Sequence, residues 1–398
     1  MELMNVFIDG LKPESIKYMD FLSTFNSKGR IKTELGYSNP CHASMYSGVY
    51  PNKHLYWFIW RYSPNTSPFK WIDNIGFIKE TEDVMIKYAA FKLTKMFFSK
   101  KVTSFFGIQF LPKIPLKVWS NFDLAEQKYW TENNYIDSYP TLFEILQKHG
   151  KSFHVVGLNG DLSHSSDQIS KHKPSNEEDQ WLYYFIGDID PMSHKYGQNS
   201  SVTINQLKKI DRILEKKYNV FEKECSDPVF MLFSDHGHTT VKNEFNMHNI
   251  FSKYHKRLAD YIHFIDANYI RFWFRSCKEE NEVRGILSAL NDIGFILTEK
   301  HLQKYQINMP DNRYGDLIFY LDAPNIFGPS EFYIKTKKIG SRVVSMHGYL
   351  PDYSESDGVI IASQGFNRSE VKLEDITPTV ISSLGIDVPT YMDGKPIW

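Results

Sequence analysis

The chain has 398 residues, enough for one large domain with insertions or for two domains. Hydrophobic residues make up 42% of it, which leaves ample material for a globular core. The formal net charge of −1 creates no overall positive field that would attract duplex nucleic acid, and three cysteines are too few and too scattered for a disulfide framework.

Short apolar runs that end in polar residues or glycine recur along the chain and predict buried parallel strands. They are Leu3–Ile8, 153–158, Trp181–Ile186, Val229–Phe233 and 359–362. Amphipathic helical patterns occur between them, at 141–149, 204–225, 279–293 and 375–384. Strands that alternate with helices predict an α/β fold, with a mostly parallel central sheet covered by helices on both faces.

Two regions interrupt this alternation within what we expect to be a single catalytic domain over residues 1–398. Residues 55–137 are aromatic and basic, and predict an inserted cap. Residues 245–344 have strand and helix patterns of their own and predict a smaller α+β subdomain. Residues 159–180 are polar and predict a loop.

The aromatic side chains of the predicted cap have two explanations. They could stack on a nucleobase or bury an acyl chain of a substrate, or they could form the cap's own core. The segment around Lys92 combines basic and apolar residues, which raises contact with a membrane surface as a further alternative.

The first residues of the chain lack a basic region followed by the apolar stretch of a signal peptide. No apolar stretch elsewhere reaches the roughly 18 residues of a transmembrane helix. We therefore expect a cytoplasmic protein.

Acidic residues and histidines follow three of the predicted strands. Asp9 comes directly after Leu3–Ile8, and the pairs Asp190/His194 and Asp235/His236 follow later strands. Sites in open parallel sheets form at the carboxyl ends of the strands. With His347 from a late Met-His-Gly-Tyr segment, three carboxylates and three imidazoles are available, which is what two adjacent divalent metals require.

Each of these motifs also has an explanation without function. Asp190 and His194 could belong to a solvated turn around a proline, and His347 is one of 14 histidines. Asp188 and His238 stand beside the ligand pairs, where they either orient the ligands through hydrogen bonds or have no specific role.

Ser38 precedes a short helical pattern with Pro40 in its first turn and Gly48 at its end. A serine in this place can cap the helix. It can also act at a phosphate site, because a helix N-terminus presents free N–H groups to an anion and a metal-activated serine can attack phosphorus.

Taken together, the motifs resemble the alkaline phosphatase superfamily, and most closely its nucleotide pyrophosphatase/phosphodiesterase branch. In that branch an aspartate follows the first strand, and the nucleophile stands two residues before a proline. The remaining matches are the small-Gly-x-Tyr-Pro-x-x-His run at 47–54, Ser-Asp-His-Gly at 234–237, His-Gly-Tyr at 347–349, Asp-Ile-x-Pro-Thr at 375–379 and Met-Asp-Gly at 392–394.

The resemblance implies an alkaline phosphatase-like fold and a two-metal phosphohydrolase with a phosphoseryl intermediate on Ser38. One metal would be held by Asp190, His194 and His347, and the other by Asp9, Asp235, His236 and the Ser38 oxygen. Zinc suits such nitrogen and oxygen ligands, with manganese as the alternative.

The sequence departs from the family in the region that faces the substrate. Ile59 occupies the position of an asparagine that helps to hold a phosphate oxygen in phosphodiesterases, and Leu55 replaces a glycine. The candidate substrate-binding residues are Asn39, Trp57, Trp60 and Arg61.

The expected activity is that of a phosphodiesterase or nucleotide pyrophosphatase. The alternatives are a phosphomonoesterase with Arg61 as an extra cation, a phosphonate hydrolase, and a phosphoryl-group transferase. The expected partner is a nucleotide, another phosphorylated small molecule, or a lipid- or sugar-linked phosphate. A catalytically silent binding protein is disfavoured because all seven ligand positions are filled, and a sulfatase because His42 occupies the position of an essential arginine.

Overall fold

The computed structural model describes residues 2–75, 84–97, 116–158, 164–173, 179–330 and 343–398. The chain divides into two compact units. The first unit consists of Met1–His54, Trp130–Thr240 and Val343–Trp398, and the second of Leu55–Tyr129 and Val241–Arg342.

The strands of both units, in chain order, are β1 (Leu3–Ile8), β2 (Ser27–Lys32), β3 (Trp60–Tyr62), β4 (Phe122–Leu124), β5 (Phe153–Val156), β6 (Trp181–Ile186), β7 (Val229–Phe233), β8 (Thr239–Thr240), β9 (Asn243–Phe245), β10 (Ile262–Ile265), β11 (Tyr269–Trp273), β12 (Gly294–Ile296), β13 (Leu317–Leu321), β14 (Asn325–Phe327), β15 (Ser345–Met346), β16 (Gly358–Ala362) and β17 (Val371–Lys372).

The α-helices are α1 (Asp20–Ser23), α2 (Ser38–Ser47), α3 (Pro51–His54), α4 (Val84–Phe97), α5 (Leu142–Lys148), α6 (Ser165–Lys171), α7 (Ile189–Tyr196), α8 (Ser201–Glu224), α9 (Met247–Lys253), α10 (Cys277–Ser288), α11 (Glu299–Lys304) and α12 (Ile376–Ser383). Short 3-10 helices occur at Pro13–Tyr18, Lys70–Asn74, Leu116–Asn121, Leu258–Asp260, Ser354–Ser356 and Leu373–Asp375.

Seven strands of the first unit form a central sheet in the order β17-β2-β16-β7-β1-β6-β5, and β15 and β8 form a separate pair. Strands β5, β6, β1 and β7 run parallel to one another, so their carboxyl ends lie along one edge. Strands β1, β6 and β7 are almost entirely buried, as their continuous apolar sequences predict. The predicted α/β class with a mostly parallel sheet is confirmed.

The sequence predicted β16 as a parallel strand. In the structure it pairs antiparallel with both β7 and β2. A strand that is buried on both faces has the same apolar run in either direction, so the sequence carries no signal for its orientation. Its neighbour β2 has the polar sequence Ser-Lys-Gly-Arg-Ile-Lys and was not predicted at all.

The long helix α8 covers part of the sheet of the first unit. It begins after Ser200, whose side chain accepts a hydrogen bond from the N–H of Thr203. Leu207, Ile210 and Leu214 recur on one face and pack in the core with residues of β1 and β6. The helix begins three residues before the predicted start and otherwise agrees with the pattern.

The segment predicted as a loop at 159–180 contains helix α6 in its described part. Ser165 and Ser166 begin this helix and are buried, although their polarity favours a loop in the sequence. Both serines bind Asp188, which lies far along the chain, so a tertiary contact decides the conformation.

The second unit combines the segments predicted as the aromatic cap and the smaller subdomain, with boundaries at 55–129 and 241–342 in place of 55–137 and 245–344. Its larger sheet has the order β10-β11-β13-β12 and is antiparallel throughout. Trp60 and Trp119 from the first segment share a core cluster with Phe264 and Trp273 from the second. The two segments therefore share a hydrophobic core within this unit.

Within the described residues, no helix combines the length and the apolar character needed to span a membrane.

Candidate active site

Three strand ends and one helix bring the predicted ligands to one edge of the central sheet. Asp9 directly follows β1, Asp235 follows β7 by two residues, and Asp190 lies in the first turn of α7 after β6. Because these strands are adjacent and parallel, the residues after them meet although they are far apart in the sequence. His347 joins them through β15, which pairs with β8 next to His236 and His238.

Asp190, His194 and His347 form the first candidate metal group. Asp190 and His194 are four residues apart on α7 and therefore project from one face of the helix. The Nε2 atoms of His194 and His347 lie 3.2 Å and 3.6 Å from Oδ1 of Asp190. The three side chains that the sequence assigned to one metal are thus brought together.

Asp9, Asp235 and His236 form the second group. Nε2 of His236 lies 3.6 Å from Oδ1 of Asp9 and 3.2 Å from Oδ2 of Asp235. Ser38 Oγ lies 3.2 Å from the same nitrogen. The four residues assigned to the second metal therefore also converge.

The two groups are adjacent. The imidazole rings of His236 and His347 stack with their centroids 3.7 Å apart and their planes within 4°. Asp190 also groups with His236 and His238. This proximity agrees with a site in which two cations act on one substrate.

Hydrogen bonds from Nδ1 orient the imidazoles of His194 and His236. His194 donates from Nδ1 to the carbonyl oxygen of Ser345 at 2.9 Å, and His236 donates from Nδ1 to that of Gly237 at 3.1 Å. A neutral imidazole carries one N–H, so with that N–H on Nδ1 the Nε2 atom of both residues is left to bind a cation. Metal-binding histidines show this arrangement.

The acidic side chains perturb one another and their histidines. Burial, reinforced by the charges of Asp235 and Asp190, raises the pKa of Asp9 well above its usual value. Burial also raises the pKa of Asp235. Burial would raise the pKa of Asp190 as well. The neighbouring His194, and a hydrogen bond between Asp190 and His238, instead hold the pKa of Asp190 well below its usual value. For Asp9 and Asp235, nearby positive charge would favour the ionised carboxylate.

The unsatisfied atoms fit a pair of metal ions. Oδ1 of Asp9 and Oδ2 of Asp235 are buried and have no hydrogen-bond partner within the described part of the chain. Buried polar atoms without partners are rare, and each calls for an explanation. Together with imidazole nitrogens that carry free lone pairs, these oxygens form a donor set suited to divalent cations of the first transition row.

Ser38 is the first residue of α2, and the N-cap position belongs to Tyr37. The alternative in which Ser38 caps the helix therefore does not hold, since the Ser38 side chain points to His236. Pro40 lies in the first turn and Gly48 ends the helix with φ of +72°, both as expected. The hydroxyl that would have capped the helix is free to take part in the site.

Asp188 and His238 have different contacts. The carboxylate of Asp188 accepts hydrogen bonds from Ser165, Ser166 and Gln206, which anchor the start of α7 to α6 and α8. His238 instead bonds a predicted ligand, with Nε2 2.9 Å from Oδ1 of Asp190.

Ser345 was not recognised in the sequence. Its carbonyl accepts from His194, and its hydroxyl donates to the carbonyl of Ser193 and contacts Nδ1 of His238 at 3.3 Å. Its position two residues before His347 was the only available signal, because the partners are distant in sequence.

The predicted substrate residues divide between the units. Asn39 follows Ser38 on α2 and is 8% exposed. Trp57 and Trp60, in the second unit, are 1% and 2% exposed, and the guanidinium of Arg61 lies 3.8 Å from Asp123. Substrate contacts by these four residues stay a prediction.

The two departures from the family pattern also lie in the second unit. Ile59 packs against the core cluster around Trp60. Leu55 retains a backbone φ of +66°, a conformation that glycine adopts without strain.

The sequence model of the family described as Type I phosphodiesterase / nucleotide pyrophosphatase matches residues 6–349 of the chain. The chain belongs to this family. Members of the type I phosphodiesterase/nucleotide pyrophosphatase family are metal-dependent phosphoric ester hydrolases, so the predicted enzyme class is confirmed. The match includes every predicted ligand from Asp9 to His347.

Solved structures share the alkaline phosphatase-like fold of this chain. Human ectonucleotide pyrophosphatase/phosphodiesterase 5 is 13% identical, with a TM-score of 0.63 over 99% of this chain and 97% of that chain. An inactive threonine-to-alanine variant of the murine protein, in complex with AMP, is 10% identical, with a TM-score of 0.65 over 98% and 96%. Another structure of murine ectonucleotide pyrophosphatase/phosphodiesterase 5 has a TM-score of 0.64 at 10% identity, over the same shares of the two chains. No curated protein matches the chain in sequence.

Proposed function

We propose that the chain is a two-metal phosphodiesterase of the nucleotide pyrophosphatase type, with Ser38 as its nucleophile. The position of the Ser38 hydroxyl carries this proposal. It lies at the N-terminus of a ten-residue helix and 3.2 Å from Nε2 of His236, at the meeting point of the candidate metal ligands. A hydroxyl in this place can reach a phosphate that is bound at the same helix end.

Asp190, His194 and His347 would hold one metal, and Asp9, Asp235, His236 and Ser38 the other. We propose zinc for both positions because imidazole and carboxylate ligands suit it, with manganese as the alternative. When bound, the cations supply positive charge that neutralises the phosphate and lowers the pKa of the serine hydroxyl.

The proposed reaction has two displacements at phosphorus. In the first, the Ser38 Oγ–P bond forms while the bond from phosphorus to the leaving oxygen breaks; Ser38 loses its proton and the leaving oxygen gains one from water. In the second, water attacks the phosphoseryl group, the Oγ–P bond breaks, and Ser38 recovers a proton. The first-turn N–H groups of α2 have no acceptor within the helix and face developing negative charge.

A nucleotide is the substrate class we favour, because one structure with this fold is a complex with AMP. The proposed substrate is therefore a nucleotidyl diester or pyrophosphate. Lipid- and sugar-linked phosphates are the alternatives.

Hydrolysis of bis-p-nitrophenyl phosphate and p-nitrophenyl phosphate by zinc-loaded protein tests the proposal. We expect faster diester turnover, which falls at least about 1,000-fold in Ser38→Ala. Ser38→Thr is the matched control, since it retains a hydroxyl and should retain part of the activity.

Faster turnover of the monoester would instead indicate a phosphomonoesterase. A protein that binds two metals and hydrolyses neither these compounds nor a dinucleotide pyrophosphate would contradict the proposed function and favour a binding protein.

A further inference from the structure

His42 lies one turn after Ser38 on α2, and residues four apart share one face of a helix. Its side chain is therefore directed to the same region as the Ser38 hydroxyl. The residue is 4% exposed and is enclosed by aromatic rings. The rings of Trp130 and Phe7 lie 4.3 Å and 5.3 Å from its centroid, both edge-on. These contacts hold the imidazole in one position.

A polar atom of His42 faces a polar atom of a predicted metal ligand. Nε2 of His42 lies 3.6 Å from Oδ2 of Asp235. Both atoms are buried, and neither has a hydrogen-bond partner within the described residues. An unsatisfied polar atom is unfavourable in a protein interior, so two such atoms side by side are unfavourable unless they act on each other.

The other oxygen of Asp235 is already engaged. Oδ1 accepts hydrogen bonds from the backbone N–H groups of Gly10 and His236, at 3.2 Å and 3.0 Å. Two N–H groups on Oδ1 limit the rotation of the carboxylate. Oδ2 is consequently the oxygen that is left for His42 and for a cation.

We propose that His42 is a positioning residue for the metal site of Asp9, Asp235 and His236, and that it donates a hydrogen bond from Nε2 to Oδ2 of Asp235. This inference rests on the proposed function, since it assumes that a metal binds there. A shift of about 0.6 Å would bring the pair to hydrogen-bond distance. The bond would hold the carboxylate oxygen in its binding orientation, as hydrogen bonds to metal-binding carboxylates do.

The alternative role for His42 is packing alone. A leucine or phenylalanine could fill the space between Trp130 and Phe7 without placing an unsatisfied nitrogen against a carboxylate. Three substitutions therefore separate the roles. In His42→Gln the amide nitrogen can occupy the place of Nε2 and donate, His42→Phe keeps an aromatic ring without a donor, and His42→Leu keeps neither.

The experiment measures zinc bound per chain and the dissociation constant of each zinc, by titration calorimetry of metal-free protein with the native chain and the three variants. We expect two zinc ions on the native chain. In His42→Phe and His42→Leu one zinc should bind about 10- to 100-fold more weakly, while the other remains within about twofold. His42→Gln should restore most of the lost affinity. Circular dichroism of the metal-free proteins checks that each variant folds.

Tyr46→Phe is the matched control. Tyr46 lies one turn further along α2 and contacts the same ring cluster, but its hydroxyl bonds the hydroxyl of Tyr183. Removal of this hydroxyl should leave both zinc affinities unchanged.

Native affinity in both His42→Phe and His42→Leu, or equal weakening in those variants and in His42→Gln, would overturn the proposal for His42. If either His42→Phe or His42→Leu does not fold, the zinc affinities of the other variant and of His42→Gln still separate the two roles. Fewer than two zinc ions on the native chain would instead count against the proposed function, whatever the variants show.

Discussion

Ser38 Oγ and His236 Nε2 lie 3.2 Å apart although 198 positions separate the two residues in sequence. Ser38 opens α2, and His236 follows β7, which lies beside β1 in the central sheet. The contact joins a candidate nucleophile to a candidate metal ligand. It therefore unites in one place the two parts that a metal-assisted displacement at phosphorus requires.

Zinc should stabilise the protein against unfolding. The buried carboxylates of Asp9 and Asp235 have unsatisfied oxygens, and a cation that binds only the folded state adds stability by mass action. At a free zinc concentration 100 times the dissociation constant, we expect about 2.7 kcal/mol for each independent site. Differential scanning calorimetry with zinc and with a chelator measures this shift.

Asp190→Asn should reduce the zinc-dependent rise in melting temperature, because Asp190 Oδ1 is the oxygen that contacts both His194 and His347. Asp167→Asn is the control, since Asp167 forms a surface pair with Lys209. An equal rise in both variants would contradict a metal at Asp190.

His238→Ala should weaken one zinc about 10- to 100-fold, because the hydrogen bond from its imidazole holds Oδ1 of Asp190. Gly10→Ala should have a similar effect. A Cβ at Gly10 would lie 2.9 Å from Nε2 of His238, and the backbone φ of +69° already disfavours a side chain. Zinc titrations of both variants test this, and native affinity in Gly10→Ala would show that the imidazole does not need this space.

Arg271→Met should destabilise the second unit by about 3–5 kcal/mol, because it leaves a buried carboxylate unpaired. Arg271 is fully buried and donates to Asp266 at 2.7 Å and to the carbonyl of Trp60 at 2.9 Å. Its guanidinium also lies 4.3 Å from the ring centroid of Phe58. Urea denaturation, followed by tryptophan fluorescence, measures the loss.

Arg284→Met removes a surface ion pair with Glu280 and should cost only a few tenths of a kcal/mol. A similar loss in Arg284→Met and Arg271→Met would show that the buried pair contributes no more than an exposed one.

Glu374→Gln should make the stability of the protein less dependent on pH. Burial raises the pKa of Glu374 from 4.5 to about 7. The folded state therefore binds this proton more tightly than the unfolded state, and the stability that results is lost as the pH rises from about 4.5 to about 7. The loss amounts to about 3 kcal/mol at most.

Melting temperatures at pH 5 and pH 8 test this expectation. Relative to the native protein, the melting temperature of Glu374→Gln should be higher at pH 8 than at pH 5. Glu370→Gln makes the same chemical change at an exposed position and should show little pH-dependent difference. If the difference in melting temperature between Glu374→Gln and the native protein were the same at both pH values, the raised pKa of Glu374 would be refuted.

Much of the fold and of the ligand set was predictable because the signals are local. Strand β1 is a continuous apolar run that ends at an acidic residue, and α8 has apolar residues at helical spacing. In a parallel sheet such strand ends must share an edge. The convergence of Asp9, Asp190 and Asp235 therefore follows from their positions after strands.

Other features depend on partners that the local sequence does not contain. The sequence of β16 is compatible with either direction, and the polar pattern of Ser165 and Ser166 gives no sign of a helix that is held by Asp188. The local sequence of Ser38 was compatible with a helix cap or with a nucleophile, and its proximity to His236 shows where its hydroxyl points.

The sequence by itself determined the fold class, the family and the residue types of the candidate metal site, since apolar periodicity and short motifs are written in consecutive residues. Tertiary structure alone decided that residues 55–129 and 241–342 form one unit, and that His42 faces Asp235. Both depend on packing between side chains that are far apart in the chain. Such contacts form only when the core assembles, so no local segment of the sequence specifies them.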